Sequence, residues 1–167
     1  MNLFDVNKKI VLITGASGQL GIEYQTAFLE NGARVIGIDI SKSDGISKLE
    51  KNYEKDYFFI SCDITSKDSL FSCLTEIKGS FGIPNVLINN AAIDYKIKSN
   101  VNVAANSFYN FDLKRWNNEI DVGLTGYFLM IKIFGSEMIK RKYGRIINIA
   151  SDLSVIAPDH RLYNSKK

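Results

Sequence analysis

The chain has 167 residues, a length that suggests one domain with a sizeable core. Hydrophobic residues make up 46% and charged residues 23%, an ordinary soluble globular balance. The formal net charge of +3, from 21 basic and 18 acidic side chains, is too small to argue for nucleic acid, and no Arg/Lys run sits among aromatics as single-strand binders need.

The first residues read "MNLFDVNKKIVLITGASG". The apolar run "IVLI" is too short for a signal segment or a membrane span, so the reading is cytoplasmic, with no membrane partner. Residues 9–15, "KIVLITG", are β-branched and closed by Gly15, which predicts a buried strand. A helix is expected from about Gln19 to Asn31, with Leu20, Tyr24, Ala27 and Phe28 at helical spacing and Gly32 as its C-terminal cap. "ARVIGID" (33–39) predicts a second strand, and the polar stretch 41–55 holds one weak helical segment.

"YFFISCD" (57–63) predicts a third strand. Thr65 or Ser66 then caps a helix with Leu70, Leu74 and Ile77 on one face. Cys62 and Cys73 form no CxxC and the single histidine, His160, is distant in sequence, so they read as reduced cysteines with no metal site. "PNVLINNAA" (84–92) is a fourth strand, and residues 93–111 are an irregular loop of a length that is usually functional or mobile. A long helix follows from about Leu113 to Arg141 despite three glycines, and "YGRIINIAS" (143–151) is a fifth strand. Apolar strands alternating with helices predict an α/β, doubly wound parallel sheet in the order 3-2-1-4-5. No repeat, low-complexity tract or linker divides residues 1–167, which read as a single domain.

"TGASGQLG" (14–21) joins the first strand to the first helix. Such a turn needs residues without a Cβ, so that backbone can approach a pyrophosphate at a helix N-terminus. Gly15, Ser17, Gly18, Gln19, Leu20 and Gly21 are the candidate cradle residues. Asp39, ending the second strand, can accept both ribose hydroxyl protons of an adenosine and would repel a 2′-phosphate. That favours NAD over NADP, although Lys42 nearby softens the preference. Asp63, followed by Ile64, either accepts the adenine amino group or caps the next helix, and both can hold.

At this point the chain resembles the short-chain dehydrogenase/reductase family. The resemblance rests on "TGASGQLG", "GIDI", "SCDIT", "LINNAA", "DVGLTG", "GRIINIAS" and "YNSKK", in the family's order. It implies a Rossmann fold, a nicotinamide dinucleotide, and hydride transfer between the nicotinamide ring and a small carbonyl or alcohol substrate. It implies that Asn89 stabilises the central sheet and that backbone near Ala91 lines the cofactor. Ser151 matches the family's catalytic serine, and Tyr163 and Lys167 match its Tyr-x-x-x-Lys pair. In such a pair the ammonium and the positive nicotinamide lower the phenol pKa, so the phenol can exchange a proton with the substrate oxygen. The serine hydroxyl would polarise the same oxygen. The family also commonly pairs subunits through the long helix near 113–141, which implies a homo-oligomer.

Three departures stand out. The Gly-x-x-Gly-x-x-Gly spacing resembles the extended branch, with its sugar-nucleotide epimerases and dehydratases, whereas the other motifs resemble the classical branch. Gly123 stands where the family has an asparagine that bends the long helix and helps a proton relay. The chain is also expected to end before the later strands and the substrate lid of the full family domain. The segment "PDHRLY" resembles a subgroup with members in bacterial surface-glycan pathways, in which the catalytic pair comes after an inserted loop. Tyr163 and Lys167 are then either the catalytic pair, twelve residues after Ser151, or a lookalike ahead of it. A non-catalytic dinucleotide-binding fragment is the alternative function.

Overall fold

The computed structural model describes residues 5–93, 111–151 and 155–156. Short β-branched runs form its five strands: β1 (Ile10–Thr14), β2 (Arg34–Asp39), β3 (Tyr57–Ser61), β4 (Val86–Asn89) and β5 (Arg145–Asn148). All neighbouring pairs are parallel, in the order β3-β2-β1-β4-β5, as the alternation of elements predicts. The chain winds one way from β1 to β2 and the other way to β4. The switch point therefore lies between β1 and β4.

The period-two alternation of side chains divides the core between the sheet's two faces. Val11 and Ile13 of β1 join Leu29 of α1 (Gln19–Glu30) and Ile46 and Leu49 of α2 (Asp44–Asn52). Leu12 faces the other way, toward Leu70 and Ile77 of α3 (Lys67–Ser80) and Met130 and Phe134 of α4 (Leu113–Lys140).

Helix α1 differs from its predicted face. The buried positions are Gly21, Gln25 and Leu29, whereas Leu20 is 53% exposed. The cause is Gly21: a Cβ there would overlap the Gly15 carbonyl oxygen and lie 2.9 Å from Ala16. The bare helix backbone thus sits directly on the turn, and the apolar stripe rotates by one residue. The predicted C-terminal cap holds. Gly32, at φ +78°, donates to Leu29 O at 3.0 Å while Ala33 donates to Phe28 O at 3.0 Å.

In α3, Ser66 Oγ accepts the Ser69 N–H at 3.3 Å, as the capping pattern predicts. Helix α4 is capped by Asp112, which accepts from Lys114 and Arg115. Two π-helical segments, Asp121–Gly126 and Ile131–Gly135, interrupt it. Gly126 lets Ile64 lie against the helix: a Cβ there would be 2.7 Å from Ile64 Cδ1. By length and composition α4 could cross a bilayer: it has 28 residues, and its most apolar 18-residue stretch has a mean hydropathy of 1.3. Its Leu129, Met130, Ile133, Phe134 and Met138 are instead buried on the sheet. Among the described residues β5 pairs with β4 alone, and Ile146 and Ile147 are exposed on its two faces.

Candidate functional site

The glycine turn lies at the carboxyl end of β1, beside the switch point. Gly15 takes φ +66°, a left-handed conformation that favours glycine, and a Cβ on it would stand 2.7 Å from Ala91 Cα. The turn closes through Gly18 N–H to Gly15 O at 3.2 Å, and Ile22 N–H to Gly18 O at 3.0 Å starts the helix. The helix N-cap is Gly18 itself, which makes no side-chain cap hydrogen bond. Among the described residues the first N–H groups of α1 thus have no capping side chain, at the end where the helix dipole favours an anion. Gln19 and Leu20 are exposed on that first turn.

Asp39 stands at the end of β2, adjacent to the turn. Its Oδ2 accepts the backbone N–H of Ser17 at 3.0 Å, and Oδ1 faces the N–H of Ser41 at 3.4 Å. Ser17 Oγ donates to Ser41 O, so turn and acid are tied together twice. Lys42 does not face this carboxylate; it is ion-paired with Glu50 of α2.

A polar weld joins β1 to β4 across the switch point. Thr14 Oγ1, fully buried, accepts the N–H groups of Asn90 at 3.0 Å and Ala91 at 3.1 Å. Asn90 Nδ2 returns to Thr14 O at 3.1 Å and Gly15 O at 3.3 Å. Asn89 is fully buried and donates to Asn148 Oδ1 at 2.8 Å, linking β4 to its register partner on β5. Its Oδ1 is buried without a partner among the described residues.

The remaining candidates are placed differently. Asp63 Oδ1 accepts the N–H and hydroxyl of Thr65 at 2.8 Å and 2.7 Å, so its carboxylate shapes the turn ahead of α3. The predicted cap of α3 is instead Ser66, and these contacts do not bear on the predicted adenine role. The Ile64 side chain is buried against Gly126, in the core cluster beneath the site. Ser151 is exposed, beyond the end of β5. Tyr163 and Lys167 lie outside the described residues, as does most of the loop predicted at 93–111. Cys62 and Cys73 are both buried free thiols. A hydrogen bond from Cys73, aided by Ser69 Oγ at 3.3 Å, holds the Cys62 thiol down at about 7 against the effect of burial. The Cys73 thiol is pushed up by that same bond and by burial.

Two residues bearing on the cradle were not singled out in the sequence. Gln25 is fully buried on α1 and its Nε2 donates to both Ala16 O and Gly21 O at 2.8 Å. Its Oε1 accepts the Tyr57 hydroxyl at 2.8 Å. The legible signal was a polar residue spaced one turn from Gly21, on the strip that the glycine lets face inward.

The short chain dehydrogenase family model matches residues 9–167. The chain is 30% identical over 162 residues to an uncharacterized oxidoreductase of Thermotoga maritima, covering 95% of this chain and 60% of that protein. It is 30% identical over 165 residues to an NAD-dependent glycerol dehydrogenase of Listeria innocua, covering 98% of this chain and 61% of the other. A short chain dehydrogenase of Leptospira borgpetersenii, solved with bound NAD+, superposes with a TM-score of 0.81 at 28% identity, over 96% of this chain and 58% of that one. The chain thus spans about three fifths of the length of these relatives. With the glycine turn, the terminal acid of β2 and the Asn-Asn segment of β4 in their places, the chain belongs to the short chain dehydrogenase family.

Proposed function

We propose that this chain supplies the dinucleotide-binding part of an NAD-dependent oxidoreductase acting on a small carbonyl or alcohol substrate. The observation that carries the reading is the paired arrangement of an uncapped α1 N-terminus and the Asp39 carboxylate. The residues fit the cofactor. Glycines keep side chains out of the cradle, the α1 N–H groups would hold the pyrophosphate, and Asp39 would accept the ribose hydroxyls. Gly15 and Ala91 would keep the floor low enough for the dinucleotide to cross from β1 to β4. When bound, the nicotinamide supplies or takes the hydride. NAD rather than NADP is favoured because Asp39 repels a 2′-phosphate and Lys42 is drawn off by Glu50.

Ser151 would polarise the substrate oxygen, and Tyr163 with Lys167 would exchange its proton. Their support is their match to the family's motif. A polyhydroxy substrate is consistent with the glycerol named for the Listeria relative, and the surface-glycan assignment rests on the subgroup resemblance. The second reading, cofactor binding without turnover, is motivated by Gly123, which brings no amide to the π-helical segment of α4. NADH titration followed by fluorescence tests the main reading, with saturable binding weakened at least tenfold in Asp39→Ala. A folded chain that binds neither NADH nor NAD+ would sink it. Binding without turnover on polyol and ketose panels would favour the second reading.

A further inference from the structure

The geometry points to Gln25 and Tyr57 as positioning residues that set cofactor preference through Asp39, an inference that rests on the dinucleotide reading above. Both donors of the Gln25 amide are used on carbonyls, Ala16 O in the turn and Gly21 O in α1. A trans peptide is planar, with its C=O and N–H pointing opposite ways. Holding the Ala16 carbonyl inward therefore aims the next N–H, that of Ser17, away from Gln25. That N–H donates to Asp39 Oδ2 at 3.0 Å. Tyr57 fixes the other end by donating to Gln25 Oε1 at 2.8 Å, which also settles which way the amide faces.

Strand β2 is built around this chain of contacts. Gly37 lies two residues before Asp39 on the same face. A Cβ at Gly37 would overlap Gln25 Oε1 and stand 2.6 Å from the Tyr57 hydroxyl. Tyr57 itself is registered opposite Val35, on that face again. A line of hydrogen bonds therefore runs from β3 through α1 and the turn to the β2 acid. Both side chains are buried, so they reach the cradle through backbone alone, and the Ala16–Ser17 peptide is their route to Asp39. Without them that peptide loses its inward anchor and is held from the Asp39 side alone, so the carboxylate is less firmly oriented. The ribose 2′-hydroxyl then meets a less well aimed acceptor, and a 2′-phosphate meets less repulsion.

The test measures NADH and NADPH affinities of the 167-residue chain and its Gln25→Met, Tyr57→Phe and Asp39→Ala variants, alone and combined, with circular dichroism as a folding check. The NADH-to-NADPH affinity ratio is expected to fall about tenfold in Gln25→Met and about threefold in Tyr57→Phe, the scale of one lost buried partner. Neither substitution should alter the ratio in the Asp39→Ala background. A merely structural role would weaken both cofactors equally and leave the ratio alone, and that result overturns the inference. So does a ratio change that persists without Asp39. If Gln25→Met does not fold, Tyr57→Phe, which keeps the ring, decides by the same ratio. An unchanged chain that binds neither cofactor overturns the dinucleotide reading itself and this inference with it. An unchanged ratio in well-folded variants that still bind overturns the inference alone.

Discussion

Lys42, in the loop ahead of α2, is ion-paired with Glu50 within that helix. The pairing turns toward α2 the cation nearest in sequence to Asp39. Glu50→Ala is expected to release it and raise NADPH affinity about two- to fivefold, the scale of an exposed pair, with NADH little changed. The gain should shrink at high salt, because both partners are exposed. Equal NADPH affinity in the two proteins at low salt would show that Lys42 has no influence on the ribose end.

Two glycines should respond oppositely to alanine. At Gly21 a Cβ would overlap the backbone of the turn, so Gly21→Ala should cost about 1–3 kcal/mol and disturb the cradle. At Gly123 a Cβ would meet nothing within 4 Å. Gly123→Ala should stabilise the chain by about 0.5–1 kcal/mol through the unfolded state and the helix backbone. Urea midpoints of the two variants check both signs. A stabilised Gly21→Ala would contradict the close approach of α1 to the turn.

That contrast shows how far the sequence could be read. The strand order and the turn were legible because "KIVLITG" and "ARVIGID" are apolar, β-branched and ended by Gly15 and Asp39. The inward strip of α1 was not, because helical periodicity counts apolar side chains and the residue nearest the sheet is Gly21, which has none. The role of Gln25 followed from that rotation and needed the Ala16 carbonyl in three dimensions. Asp63 carries two readings in the sequence because an acid before a helix cap serves either, and the Thr65 contacts show it shaping the turn ahead of α3. The length of β4 was overestimated because Asn90 and Ala91 turn their N–H groups to Thr14 Oγ1 instead of to a neighbouring strand.

Tyr57 makes stability fall in alkali. Its hydroxyl ordinarily ionises near 10, and burial, followed by the charge of Glu50, pushes that well up in the folded chain. The folded state therefore holds the proton more tightly than the unfolded one. This contribution is fully present below pH about 10 and is lost as pH rises above it. Tyr57→Phe should lose less stability than the unchanged chain between about pH 9 and 11. Parallel losses in urea titrations at those two pH values would refute the assignment.

The two cysteines should be silent to reagents in the folded chain. Cys62 is 4% exposed and Cys73 is 2% exposed. The lowered Cys62 pKa would favour reaction, but access decides, because a bulky disulfide reagent must reach the sulfur. No rapid release of chromophore is expected from native protein, and two equivalents in denaturant. Rapid labelling of native Cys62 would mean that the end of β3 opens readily.

The register of β1 also joins near and distant parts of the chain. Val11 pairs with Val35 on one side and with Val86 on the other. The second pairing closes a loop about three times longer, which adds about 1 kcal/mol to the entropy of closure. The β3-β2-β1 half can therefore assemble from near neighbours, while β4 must dock from far along the chain. Docking of β4 is what brings Ala91 against Gly15 and Asn90 onto Thr14. The floor of the cradle is thus completed by the strand pairing of longest sequence separation in the sheet, so an intact cradle reports that the two halves of the sheet have joined.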